Sequence, residues 1–377
     1  MPESTEKLRI LRLILAVRET SAAYNQFSLP LTDKHEITIC TYFGSTIPAA
    51  RTITLYEGDG SLRGFFRALK AALEAEEYDV IHAHSPHVAF LFLLATLFSF
   101  RFRKLATSTV VTVHDSYQDY KLRNRLLFVP VFMLFRRVVC CGKASYQSFP
   151  GLFKWLAGNR LTFARNGLDL IRVDSVATRS ARHSLPDSDF TVVAIGRLVD
   201  IKNPFTALTA FEQSKNPSSR MVFIGDGSLR TALIQHSREA AFDEQVTFTG
   251  LIPREKVFEQ LLNADLFIST SRGEGLPVAV LEAMACRCPV LLSDIPPHRE
   301  IAEGAEFIPL VEPDDVAGFA WEIAKFREMS ASEREVVGWQ CRKLVEERFS
   351  LQTMHARYEE IYAQITDGPL PSGLALS

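Results

Sequence analysis

The sequence predicts an α/β protein made of two doubly wound domains in tandem, and three observations carry that reading. Short apolar runs rich in β-branched residues alternate with longer amphipathic ones, the pattern of parallel strands joined by crossover helices. The alternation breaks at "DSVATRSARHSLPDSDF" (174–190), a polar stretch containing a proline, and then resumes. At 377 residues the chain exceeds one ordinary domain and suits two.

Taken in order, "LRLILAV", "EITICTYF", "RTITLY", "DVIHAH", "TVVTVHD", "RRVVCCG" and "RLTFARNG" read as strands of the first domain. Between the third and fourth, "SLRGFFRALKAALEAEE" places apolar residues at three-to-four spacing and reads as a helix. The second domain supplies "FTVVAIGRL", "RMVFIGDG", "QVTFTGLI", "ADLFISTS" and "CPVLLSD", each followed by a helix-like segment. Three helical patterns close the chain. The predicted boundaries are 1–175 for the first domain, 176–189 for a linker and 190–349 for the second domain.

Hydrophobic residues form 47% of the chain and charged residues 23%, a core-forming composition. A net charge of -2 gives no reason to expect nucleic acid, but it hides an asymmetry. Residues 1–175 hold 22 Lys and Arg against 15 Asp and Glu, and the remainder holds 20 against 29. The basic front half points to an anionic partner, a membrane surface or phosphate, or else to solvated faces that differ by chance. None of the spacings among the six cysteines suggests zinc or a disulfide framework, so a reducing cytoplasm is expected. The N-terminus "MPESTEKLRI" has acids where a signal peptide carries basic residues. The apolar run Val88–Phe100 is too short to cross a bilayer comfortably.

In doubly wound folds ligands bind beyond the carboxyl ends of the strands. In the second domain those ends carry Gly196 and Arg197, then Gly225 to Gly227, Gly250, and Ser269 to Glu274. Glycine there lets a ligand approach the backbone. Arg197 and Lys202 span a strand end and the start of the next helix, and two cations beside a helix N-terminus suit a diphosphate. An exposed, solvated pair is the plainer alternative. Pro277 suits a first helical turn, which places Glu282 inside the following helix among "VAVLEAMA". A carboxylate there needs a partner, either ribose hydroxyls or a nearby backbone group or arginine.

"GRLVDIKN", "FIGDGSLR", "FTGLIP" and "RGEGLPVAVLEAMACRCPVLLSD" together resemble the donor half of glycosyltransferase family 4, whose fold is GT-B, two Rossmann-like domains facing a central cleft. Glu274 and Glu282 match that family's E-x7-E motif. The likeness is looser over residues 1–175, where it rests on "DVIHAHSP", "VVTVHD" and "ARNGLD". "ERFSLQTMHARYEEIY" is similar to the family's last helix, here about 350–366, which returns to the N-terminal domain.

The resemblance implies a retaining transfer of a hexose, glucose first, from a UDP-sugar to a saccharide or lipid-linked acceptor, with no metal or other cofactor. It implies that Arg197 and Lys202 hold the diphosphate and that Glu274 faces the sugar. Glu282 would accept from the ribose hydroxyls, and the backbone of Gly275, Leu276 and Pro277 would lie near sugar and phosphate. Gly250, Leu251 and Ile252 would flank the base, with Asp226 and Gly227 close by, and His114 of the first domain would reach the sugar. The resemblance implies work in polysaccharide or glycoconjugate assembly, in the cytoplasm or at the cytoplasmic face of the inner membrane. One departure stands out. The region after the first strand, "VRETSAAYNQF" (Val17–Phe27), lacks the glycine pair by which many relatives meet the diphosphate, leaving Ser21 or nearby amides as substitutes.

Two other readings share the fold: a nucleotide-sugar epimerase, against which the complete E-x7-E segment speaks, and a non-catalytic sugar-nucleotide-binding protein. His82, His84 and His87 resemble a metal cluster but lack a carboxylate or cysteine. Asp187–Asp189 reads as linker, and "GDGSLR" has Arg230 where a dinucleotide fingerprint needs glycine. "VAFLFLLATLFSFRFRK" and "RNRLLFVPVFMLFRR" read as crossover helices, or as peripheral contacts with an anionic membrane through the N-terminal domain.

Overall fold

The computed structural model describes residues 7–18, 21–97, 102–179, 190–214 and 216–366. Asp187–Asp189, most of the expected linker and residues 98–101 of the first apolar segment lie outside the described residues.

The first unit holds seven strands: β1 Arg9–Ile14, β2 Glu36–Thr41, β3 Ile53–Glu57, β4 Val80–Ala83, β5 Thr109–Val113, β6 Arg137–Cys140 and β7 Leu161–Phe163. They pair in parallel in the order β3-β2-β1-β4-β5-β6-β7. Every residue of β4 and β5 is buried, as a sheet covered by helices on both faces requires. The second unit holds β8 Phe190–Ile195, β9 Ser219–Ile224, β10 Val246–Gly250, β11 Leu266–Ser269, β12 Val290–Ser293 and β13 Leu310–Val311. Its order is β10-β9-β8-β11-β12-β13, again parallel throughout. In each sheet the strand order reverses once, beside β1 and beside β8, and the crevice for a ligand lies at those points.

The first compact unit ends at Arg165 and resumes at Met354, and the second spans Asn166–Thr353. The sequence reading carries the first domain on to 175. The difference lies in the helix Leu170–Arg179, which is fastened to the second unit. Arg172 donates to Glu255 at 2.7 Å, and Arg342 holds both oxygens of Asp174 at 2.8 and 2.9 Å. The helix also buries Val173 and Val176, so what reads as the start of a polar linker is half an amphipathic helix.

From Met354 onward the last helix, Leu351–Thr366, is part of the first unit. Tyr358 shares a hydrogen bond with Thr112 on β5 at 2.8 Å, and His355 meets the carbonyl of Gln26 at 2.7 Å. Tyr362 accepts from Arg12 at 2.6 Å, which explains a fully buried arginine in the middle of β1. Arg12 also donates to the carbonyl of Phe27 at 2.8 Å and to His82. The buried guanidinium is tolerated because both of its terminal nitrogens are hydrogen-bonded, while Nε has no partner among the described residues.

Both apolar segments contain crossover helices. Pro86–Thr96 buries Val88, Phe92 and Leu93, and Leu122–Leu134 buries Phe128, Val131 and Phe132. No helix among the described residues is long and apolar enough to cross a membrane. The second of these helices nevertheless leaves Leu122, Leu126 and Met133 exposed on one side.

Candidate active site

The floor of the candidate site is main chain. Gly225, just past β9, donates its amide to the carbonyl of Gly250 at 2.9 Å, and Gly196 donates to Ile224 at 3.0 Å. A Cβ on Gly225 would lie 2.0 Å from the Gly196 carbonyl oxygen, and one on Gly227 would lie 2.3 Å from that of Leu198. These two glycines therefore serve backbone-to-backbone packing, not only ligand access. Gly250 differs: a Cβ there would meet nothing within 4 Å, but its φ of +68° favours glycine. The floor is bounded by Asp226, whose carboxylate accepts from the Gly227 amide at 2.8 Å. Leu251 stands 79% exposed beyond Gly250, with Ile252 half-buried next to it.

Two loops 72 residues apart meet beside this floor. Arg272 donates its amide to the Ile201 carbonyl at 2.8 Å and Thr270 its hydroxyl to that of Asn203 at 2.7 Å. Asn203 adopts a left-handed conformation and holds Asp314 and the Pro313 carbonyl with its amide group. The stitching brings Lys202 onto Glu274 as an ion pair, and Glu274 also accepts from the Ser271 hydroxyl at 2.8 Å. Lys202 is 24% exposed and Glu274 only 10%. The two residues expected at phosphate and sugar thus lie against each other. Arg197, expected beside Lys202, is exposed and takes no part in the pair.

Pro277 precedes the helix Val278–Ala285 as its N-cap, one residue earlier than the first turn expected for it. Gly275, Leu276 and Pro277 are all buried, and the Leu276 carbonyl accepts from Asn166 at 3.0 Å. Glu282 is buried in the helix and paired with Arg254. Burial raises its pKa, and Arg254 and Arg172 pull it the other way. The arginine partner left open by the sequence is therefore present. Arg254 itself escaped the sequence reading, although it opens the helix Arg254–Leu262 directly after the Gly250–Pro253 turn.

In the first unit, His114 follows β5 and its ring stacks on His84, which stacks in turn on His82 with centroids 4.1 Å apart. Phe27 meets all three rings edge-on. Burial pushes His114 down to about 4 and also lowers His82 and His84, whose neighbour Arg12 adds repulsion. His82 faces Arg12 and Tyr362 with one ring nitrogen and Thr112 with the other, at 2.8 Å from Tyr362 and 2.7 Å from Thr112. A ring so placed beside a guanidinium is a poor cation ligand. No group of three or more His, Cys, Asp or Glu suited to a metal occurs among the described residues. The hydroxyl oxygen of Ser21, considered as a phosphate substitute, accepts from the Tyr24 amide at 3.4 Å. A cavity of about 690 Å³ between Leu69, Tyr78, Leu94 and Ser108 lies near the amino ends of β4 and β5, away from the ligand end of the sheet.

Two family models match the chain: Glycosyltransferase Family 4 over residues 31–172 and Glycosyl transferases group 1 over residues 176–342. With the two parallel sheets, they define a two-domain glycosyltransferase of the GT-B fold. The chain belongs to the family 4-like glycosyltransferases. It is 27% identical to EpsD of Bacillus subtilis (strain 168) over 80% of this chain and 79% of that protein. It is 23% identical to the UDP-Gal:alpha-D-GlcNAc-diphosphoundecaprenol alpha-1,3-galactosyltransferase of Escherichia coli, over 88% of this chain and 86% of that one. Among solved structures, Anabaena Alr3699/HepE in complex with UDP and glucose superposes with a TM-score of 0.76 at 18% identity, covering 95% of this chain and 100% of that chain. These relatives place the protein in polysaccharide or glycoconjugate biosynthesis, as an enzyme that takes a sugar from a nucleotide-sugar donor to a saccharide acceptor.

Proposed function

We propose that the protein is a retaining, metal-independent glycosyltransferase that moves a hexose, glucose as first choice, from a UDP-sugar to a saccharide or lipid-linked acceptor. The observation that carries this reading is the Lys202–Glu274 pair beside a floor of main chain at the strand ends. A cation over that floor suits a diphosphate leaving group, and an acid one loop away suits sugar hydroxyls. When donor binds, Lys202 turns its charge toward phosphate and releases Glu274 to the sugar. Glu282 gives one carboxylate oxygen to Arg254 and offers the other to the ribose. Arg197, Asp226, Gly227, Gly250, Leu251, Ile252 and the Gly275–Pro277 backbone complete the donor contacts, and His114 is the further residue proposed to act on the sugar. The uridine choice draws support from HepE, solved with UDP and glucose, and from the Escherichia coli relative named for UDP-Gal.

The test is UDP release with and without acceptor, in the presence of chelator. Acceptor-dependent release that chelator leaves intact is expected, with product of the donor's own anomeric configuration. Binding without turnover favours the non-catalytic reading, an epimerised sugar favours the epimerase, and an inverted product defeats the mechanism. In a thermal-shift screen across UDP-, GDP- and ADP-sugars, UDP-glucose should give the largest rise. An equal rise with all three removes the uridine assignment.

The acceptor side has its own observation. Leu122, Leu126 and Met133 on one helix, and Leu152 and Trp155 on Gly151–Ala157, are exposed. The two helices pack through Phe128, Phe132 and Phe153. Residues 121–168 include nine Lys and Arg and no Asp or Glu. Exposed apolar side chains set among cations fit an anionic bilayer that holds a lipid-linked acceptor. Co-sedimentation with vesicles containing about a third phosphatidylglycerol should exceed that with neutral vesicles several-fold at low salt, and Trp155→Ala with Leu126→Ser should abolish the difference. Equal binding to both vesicle types removes the membrane assignment.

A further inference from the structure

We infer that His298 is a positioning residue, which holds the loop Ser271–Glu274 in register through Ser293. The inference rests on the reading that Glu274 serves the donor site.

His298 is the third residue of the helix Pro296–Ile301, after β12, and is completely buried. Its Nδ1 lies 2.8 Å from the carbonyl oxygen of Ser293 and 3.0 Å from the Ser293 hydroxyl. That hydroxyl gives its single hydrogen to the carbonyl of Ser271, 2.6 Å away. With its hydrogen committed, Ser293 can only accept from the ring, so Nδ1 must carry the proton and Nε2 is left as a bare lone pair. Nε2 is buried with no hydrogen-bond partner among the described residues.

The relay continues from Ser271, whose own hydroxyl donates to Glu274, which in turn is paired with Lys202. β11 and β12 run side by side, with Ser269 opposite Leu292, so the two loops leave the sheet next to each other. The hydrogen bond between Ser293 and Ser271 ties the carbonyl at the start of the Glu274 loop to β12. The ring stays in its neutral Nδ1–H form through ordinary pH because burial holds it down at about 4, even with Glu274 nearby pulling it upward. A purely apolar side chain would fill the same space, yet would leave the Ser293 hydroxyl free to turn away from Ser271.

The experiment compares His298→Leu, His298→Asn and His298→Gln. An asparagine amide nitrogen sits close to the position of Nδ1, whereas a glutamine amide reaches that of Nε2. His298→Leu should lower kcat about tenfold or more by misplacing Glu274, with donor KM and melting temperature little changed. His298→Asn should restore kcat to within about threefold of the parent, and His298→Gln should not. The double variant E274Q with H298L should be no slower than E274Q alone, because the two act in series.

Normal kcat in H298L, better rescue by glutamine than by asparagine, or additive losses in the double variant would each overturn the inference. If H298L does not fold, Ser293→Ala removes the same link and should show the same loss of kcat; an unchanged rate overturns the inference. A slow E274Q beside a normal H298L defeats the inference alone. An E274Q enzyme of normal rate defeats the site reading and the inference with it.

Discussion

Lys202→Met should lower kcat by about a hundredfold or more, the scale seen when one preorganised donor is removed from a site of developing negative charge. The methionine keeps most of the stem and removes the charge, so lost packing does not explain the effect. Glu274 would then be left 90% buried without its cation, because it is only 10% exposed in the pair. The melting temperature should therefore fall as well. Adding Glu274→Gln should recover the melting temperature and leave the rate low. The two readouts separate stability from chemistry. A double variant that recovered activity along with stability would show that Lys202 serves Glu274 and nothing else.

The second large effect concerns Glu282. Arg254→Ala strands a buried carboxylate, at a cost of about 2 kcal/mol, less than a fully buried pair because Arg254 is 28% exposed. Glu282→Gln keeps the shape and removes the charge, so it should cost less stability but weaken the donor's ribose contact and raise donor KM. The pH dependence follows from the direction of the shift. Burial raises the folded pKa of Glu282 above its unfolded value, so folding favours the protonated form. Its contribution to stability is greatest below the ordinary carboxylate value and is lost as pH rises through the raised one. Without Arg254 the pKa rises further and the loss is larger. Denaturant titrations of R254A should therefore show stability falling from weakly acidic to neutral pH more steeply than in the parent. Adding E282Q should flatten that slope. An equally steep slope in the double variant would assign it to another group.

How much of this was legible in the sequence depended on distance along the chain. Twelve strands announce themselves as short apolar runs, most plainly the central β4 and β5, which are buried on both faces. β13, Leu310–Val311, has two residues and no periodicity to show, and only its pairing with β12 defines it. The need for a partner at Glu282 follows from a carboxylate inside "VAVLEAMA", but its identity does not, since Arg254 lies on a different helix. A basic residue opening the helix after the Gly250 turn was the available signal. His298 gave none, because a lone histidine in "PPHREI" looks the same whether it fills a core or fixes a loop. The helix Leu170–Arg179 was hidden by its own polar face: with only Val173 and Val176 buried, it resembles a linker until its ion pairs are seen.

The close approach of Gly225 and Gly227 to neighbouring backbone bears on how this enzyme can change its donor. A surface made of peptide groups cannot be re-cut by exchanging side chains, since any Cβ at those two positions collides with the adjacent loop. Laboratory selection for a different nucleotide or sugar should therefore leave these positions untouched. Accepted substitutions should accumulate at Leu251, Arg197 and Asp226, which stand clear of that packing. On the proposed donor site, preference would be written on the rim, and the floor would set only where a phosphate can rest.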